Sequence, residues 1–177
     1  APMRTLRLWV MALALALTAC GGGAADAMRP ADLPPVDPAA AREYQAGVRL
    51  LSRGGRARER RARQRFERAL ELDPNLWEAH YNLGVLDRRG GELRAAVAHF
   101  EAARTIQPGA GEVLVGLAEA RYALGETDQA ASLLNDYVSG PPESVPVRLA
   151  LTAVERQRGN HDAALGHARE VLIRQPR

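Results

Sequence analysis

Residues 77–108 read WEAHYNLGVLDRRGGELRAAVAHFEAARTIQP, and this stretch decides the fold. Two segments with helical apolar spacing, one opening on Trp77 and one centred on Ala95-Ala96-Val97, flank Gly90-Gly91-Glu92, and Pro108 closes the unit. Glycine can take the left-handed conformation that ends a helix without a Cβ penalty. Proline stops the second helix and lets another begin. The unit recurs. Pro74, Pro108, Pro142 and Pro176 stand 34 residues apart, as do Ala62, Ala96, Ala130 and Ala164, and Gly91, Gly125 and Gly159 keep the same step. Three columns with one period mark a stacked repeat.

That period and those residues resemble the tetratricopeptide-repeat family. Trp77 to Gly84 resembles its first helix, and Ala95 to Ala103 its second. The third repeat keeps Leu117-Ala118, Gly125, Ala130, Leu134 and Pro142; the fourth keeps Leu151, Gly159, Ala164, Val171 and Pro176. The first keeps Gly47, Ala62, Phe66, Ala69, Leu72 and Pro74, with three extra residues in its turn near Gly54-Gly55. The resemblance implies an all-α solenoid of about four helical hairpins over 39–177, in repeats of about 39–74, 75–108, 109–142 and 143–177. Eight helices are expected, at 39–53, 57–72, 77–89, 92–106, 111–124, 127–139, 145–158 and 161–174. Small residues at Gly84, Ala96, Ala118 and Ala130 let paired helices approach. Leu83, Leu117 and Leu151 fill between them, opposite Phe66, Phe100 and Leu134. A lone hairpin cannot bury its face, so neighbours stack to make the core.

Composition agrees. Of 177 residues, 33 are Ala, the best helix former, and aromatics are 5%. All 24 basic residues are Arg, which excludes lysine chemistry such as a Schiff base, and a single Cys excludes an internal disulfide or a multi-Cys metal site.

Upstream of the repeats, Arg4 and Arg7 precede an apolar run from Leu8 to Leu17, then Thr18-Ala19-Cys20. A positive start, a short apolar stretch and a small-residue end mark a secretory signal peptide. Leu17-Thr18-Ala19-Cys20 resembles the lipobox of bacterial lipoproteins. The resemblance implies cleavage after residue 19, lipidation of Cys20 and export, with Gly21 pointing to the outer membrane facing the periplasm. Residues 20–38 are then a flexible tether, rich in Gly, Pro and Ala with almost no large apolar residue. Loss of residues 1–19 removes two Arg and no acid, so the net charge falls from +3 to +1 and global charge says little about partners.

Two surfaces are candidates for binding. Arg53, Arg56, Arg58, Arg60, Arg61, Arg63, Arg65 and Arg68, against Glu59 and Glu67, form a basic patch. It is either a solvated helix face or an attraction site for anionic headgroups or an acidic partner. Nucleic acid is not expected, because no aromatics interleave. The second surface is the concave groove that the family resemblance assigns to first-helix positions: Tyr44, Val48, Tyr81, Asn82, Val85, Arg88, Val115, Glu119, Tyr122, Leu149, Ala153 and Arg156. Some family members grip carboxylate tails here with Lys, Arg and Asn; only Asn82 fits, and Glu112 and Gly116 stand where cations belong. An apolar helix or extended peptide is therefore the expected ligand. Alternatively, the tyrosines pack between neighbouring hairpins. A third expectation concerns the last helix, where Ala164, Leu165, Ala168, Val171 and Leu172 lack a following helix and would meet a partner or a second copy.

No catalytic constellation is present, and no cofactor or metal is implied: His80 and His99 fall on opposite helices of one repeat, His161 and His167 are six apart, and the acids are scattered at surface spacing, pairing with Arg as at Glu67 and Glu71. The expected function is a non-enzymatic, membrane-anchored scaffold that assists assembly of an envelope complex. Its plan resembles pilotin-type and other repeat-bearing envelope lipoproteins of pilus, secretion or motility systems. The alternative is a chaperone-like accessory of an envelope enzyme or of cytochrome maturation.

Overall fold

The computed structural model describes residues 35–138 and 144–174. The expected signal peptide, Cys20, nearly all of the expected tether, Pro142 and Pro176 lie outside the described residues. Eight helices follow one another among the described residues: α1 (Pro38–Ser52), α2 (Arg56–Leu72), α3 (Trp77–Gly90), α4 (Leu93–Ile106), α5 (Gly111–Ala123), α6 (Thr127–Val138), α7 (Val145–Gln157) and α8 (His161–Arg174). Each boundary lies within one residue of expectation. α1 begins at Pro38, inside the expected tether, because Asp37 caps it: its Oδ1 accepts from the amides of Ala39 (2.6 Å) and Ala40 (3.3 Å).

The helices pair as hairpins α1–α2, α3–α4, α5–α6 and α7–α8, and each second helix packs on the next first helix. The first helices also touch one another, α3 against α5 and α5 against α7, and so form one layer. Three hairpin turns close alike. Gly91, Gly125 and Gly159 have φ of 86, 83 and 80°. At each, the glycine amide donates three residues back and the following amide five residues back, as Gly91 to Arg88 (3.3 Å) and Glu92 to Asp87 (2.9 Å). The longer first turn uses Gly54 and Gly55, both at positive φ, in agreement with the extra residues there.

The core runs the length of the stack. Ala62, Phe66, Ala69, Leu83, Ala96, Phe100, Leu117, Ala118, Ala130, Leu134 and Leu151 are all buried, as the column reading required. Glycine is essential where rings cross: a Cβ on Gly47 would lie 2.5 Å from Phe66 Cε1, and one on Gly84 2.9 Å from Phe100 Cδ1. In the third hairpin Ala118 and Leu134 occupy the equivalent places. Ring pairs with glycine, and leucine with alanine, so the hairpin gap stays filled.

Candidate functional site

The first-helix layer carries the groove residues named from sequence, and the structure divides them. Tyr44 and Tyr81 are half-buried, with rings 5.7 Å from Phe66 and 5.8 Å from Phe100. Burial pushes both phenols above their ordinary range. Asn82 Nδ2 donates to the Glu78 carbonyl at 2.8 Å and reaches the Tyr44 hydroxyl at 3.5 Å. The Asn82–Tyr44 contact joins the first two hairpins, and each tyrosine ring packs on the phenylalanine of its own hairpin. Val48, Val85 and Val115 are half-buried beside them.

Tyr122 and Leu149 differ, being 38% and 51% exposed, and Arg156 and Ala153 on α7 are exposed as well. Between these open residues and the tyrosine-packed end, Arg88 on α3 pairs with Glu119 on α5 at 3.1 Å. Burial raises the Glu119 carboxyl, and the Arg88 charge opposes the rise. The open apolar and aromatic residues of the layer are thus Tyr122 and Leu149, while Val85 and Val115 pack on the core.

Sequence reading placed the acids on the surface; the structure corrects this at three positions, Asp73, Asp87 and Glu155. Asp87 and Glu155 are each 3% exposed. With Arg121 they stand 34 residues apart at the last turn of α3, α5 and α7. Each reaches a neighbouring hairpin. Asp87 takes Arg63 of α2 at 2.5 Å. Arg121 binds Glu101 of α4, and Glu126 at 3.0 Å. Glu155 accepts from Asn160 (2.7 Å), Arg158 (2.9 Å) and Asn135 of α6 (3.5 Å). Burial works to raise the Glu155 carboxyl, but these donors outweigh it and hold it below the usual carboxylate range. The sign of this column changes from repeat to repeat, which hides it from a search for recurring residues.

His80 and His99 also meet, with Nδ1 atoms 3.3 Å apart, and His99 Nε2 lies 3.6 Å from Asp87 Oδ2. The ring centroids are 5.6 Å apart, and a hydrogen bond between the two Nδ1 atoms needs one of them to carry the proton and the other to accept it. Burial lowers both imidazoles below their ordinary value. Among the described residues no group of three or more His, Cys, Asp or Glu is arranged to hold a metal.

In the basic patch, Arg63 is half-buried and committed to Asp87, Arg65 pairs with Glu43 at 2.7 Å and Arg68 with Glu71. Arg53, Arg56, Arg58, Arg60 and Arg61 are exposed around the α1–α2 turn. On α8, which packs on α7 of the same hairpin, Ala164 and Val171 are buried, whereas Leu165, Leu172 and Ile173 are 50, 73 and 71% exposed. The expected uncovered face is therefore narrower than the sequence implied, since two of its members fill the hairpin seam.

The sequence matches the tetratricopeptide repeat family over 51–111 and over 87–153, together more than half of the chain. The chain is a tetratricopeptide-repeat protein. Solved structures share its solenoid. MamA from Desulfovibrio magneticus RS-1 aligns with a TM-score of 0.65 at 21% identity, covering 75% of this chain and 73% of that one. A thermophilic tetratricopeptide-repeat protein of Thermus thermophilus aligns at 0.64 with 26% identity, covering 76% and 74%. The first tetratricopeptide-repeat domain of Spaghetti (RPAP3), solved with the HSP90 peptide SRMEEVD, aligns at 0.60 with 13% identity, covering 68% and 96%. No curated protein matches in sequence. In this tetratricopeptide-repeat protein the recurring core columns build the hairpins, and the first-helix layer differs from one hairpin to the next. Interaction with other proteins is the role such a scaffold supports.

Proposed function

We propose that this tetratricopeptide-repeat protein is a non-enzymatic scaffold of the bacterial cell envelope, anchored through a lipid on Cys20, which holds an apolar segment of a partner protein on its first-helix layer and assists assembly of a pilus, secretion or motility complex. The observation that carries the binding mode is the exposure of two large apolar side chains on this layer, Tyr122 at 38% and Leu149 at 51%. Tyrosine supplies large contact area at low entropic cost, and aromatic anchors dominate protein interfaces. A peptide is bound in one solved structure of the same fold. Its acidic ending is a poor guide to the ligand here, because Glu112 and Glu119 stand on this layer and would repel it. The lipobox-like Leu17-Thr18-Ala19-Cys20 supports the anchor.

The test places a photo-crosslinking residue at Tyr122 in cells, with Arg94 on α4 as the control site. A specific partner is captured at Tyr122 and not at Arg94. The double variant Tyr122→Ala/Leu149→Ala weakens capture about tenfold or more, with an unchanged melting temperature because both side chains are exposed. Equal capture from both sites, or undiminished capture by the double variant, refutes the binding mode. Acyl labelling lost in Cys20→Ser supports the anchor; labelling that persists refutes it.

A further inference from the structure

Charge is distributed unevenly along the solenoid. Residues 38–74 carry ten Arg against five Asp and Glu, whereas residues 75–177 carry eleven against thirteen. Most acids of the first hairpin are already engaged: Glu43 by Arg65, Glu71 by Arg68, and Glu59 by Arg89 of α3 at 3.7 Å. Asp73 accepts from the Asn75 amide at 2.9 Å. Arg53, Arg56, Arg60 and Arg61 are left exposed with no acidic partner among the described residues. Arg58 folds back on the carbonyls of Arg53 (3.3 Å) and Gly54 (3.0 Å), which satisfies donors but not its charge. These five guanidiniums crowd the α1–α2 turn and the first two turns of α2. That helix buries only Ala62, Phe66 and Ala69, so most of its circumference faces solvent. Beside the cluster, a shallow cleft between α1 and α2 of about 260 Å³ is lined by Ala46, Leu50, Arg49, Arg53 and Arg65.

We infer that this end of the first hairpin docks on an anionic lipid bilayer. The inference rests on the proposed anchor only in that a lipid on Cys20, eighteen residues before the start of α1 in sequence, would bring a bilayer within reach. Three observations favour lipid over an acidic polypeptide. The cluster contains no exposed aromatic or apolar anchor of the kind that protein interfaces bury. Guanidinium forks match phosphate oxygens, and mobile headgroups gather under unpaired charges without a complementary shape. The cleft sets the half-buried Ala46 and Leu50 beside Arg49 and Arg53, a combination that matches a phosphate joined to acyl chains.

The experiment uses residues 20–177 with Cys20→Ser, which keeps every described helix and removes the acylation site. Co-sedimentation is measured with vesicles of 30 mol% phosphatidylglycerol in phosphatidylcholine and with pure phosphatidylcholine, at low and high salt. Binding to the anionic vesicles is expected, weakening as salt screens it. At roughly fivefold per arginine, Arg56→Gln/Arg60→Gln/Arg61→Gln lowers the affinity on the order of a hundredfold. The control Arg94→Gln/Arg104→Gln/Arg169→Gln, exposed elsewhere on the solenoid, lowers it less than about fivefold. Circular dichroism melts confirm that both triple variants fold. Equal binding to neutral vesicles, no loss in the first triple variant, or binding to polyglutamate with none to anionic vesicles would each overturn the inference. Acyl labelling at Cys20 reads the anchor separately, so either reading can fail alone.

Discussion

Gly84→Ala adds one methyl group where the second hairpin is tightest. Its Cβ would lie 2.9 Å from Cδ1 and Cε1 of Phe100. The ring cannot retreat toward α5, because Gly116 already approaches it from that side: a Cβ there would lie 2.7 Å from Phe100 Cε1. Overpacking of this kind costs about 1–3 kcal/mol. Alanine recovers up to about 1 kcal/mol through its better helix propensity. The expected net loss is therefore about 1–2 kcal/mol, or a fall in melting temperature on the order of 3–6 °C. Phe100→Leu alone loses about 1–2 kcal/mol by leaving space against Gly84 and Gly116. The double variant recreates the Ala118–Leu134 pair of the third hairpin, so its loss falls short of the sum by about 1–2 kcal/mol. Urea unfolding followed by far-UV circular dichroism measures all four corners of the cycle. Additivity within about 0.5 kcal/mol, or a Gly84→Ala protein more stable than the parent, would refute the pairing of ring size with glycine.

Two further outcomes follow from the polar contacts. Asp87→Ala removes the buried partner of Arg63 and is expected to cost about 1–3 kcal/mol, well above the cost of Glu71→Ala at the exposed Arg68 pair, by the same unfolding assay. The lowered pKa values of His80 and His99 mean that the unfolded chain binds more protons than the native one. Their contribution is therefore intact above the ordinary imidazole pKa of about 6.5 and is lost as pH falls below it toward the folded values. Melting temperatures measured from pH 7.5 to 5 should fall more steeply for the parent than for His80→Gln/His99→Gln; parallel curves would show that the pair does not couple to folding.

The helices and their turns were legible because a repeat records the same local physics several times. Gly91, Gly125 and Gly159 must each pass through the left-handed region, and Ala62, Ala96 and Ala130 must each admit a neighbouring helix, so the same residue stands at the same step. The charged column was not legible for the converse reason. Asp87 and Arg121 do one job with opposite signs, each set by a charged partner on the preceding hairpin, whereas Glu155 meets its charge in Arg158 of its own turn. His80 and His99, nineteen residues apart, looked like two separate helix histidines, because only the register of α3 against α4 brings their rings together.

The sequence by itself determined that the chain stacks four helical hairpins, where each helix begins and ends, and which small and large residues meet in the seams, since period, turn glycines and apolar spacing are local properties. Only the tertiary structure decided which tyrosines are structural. Tyr44 and Tyr81 lie on phenylalanines of their own hairpins, while Tyr122, which stands 34 residues from Arg88 and Arg156 rather than from either of those tyrosines, is exposed near the end of α5. The same holds for the first-hairpin arginines: Arg63 and Arg65 pair with Asp87 and Glu43, and Arg89 of α3 takes Glu59, all contacts between residues far apart in the chain, so a run of eight arginines resolves into committed and uncommitted charge only after the helices are packed.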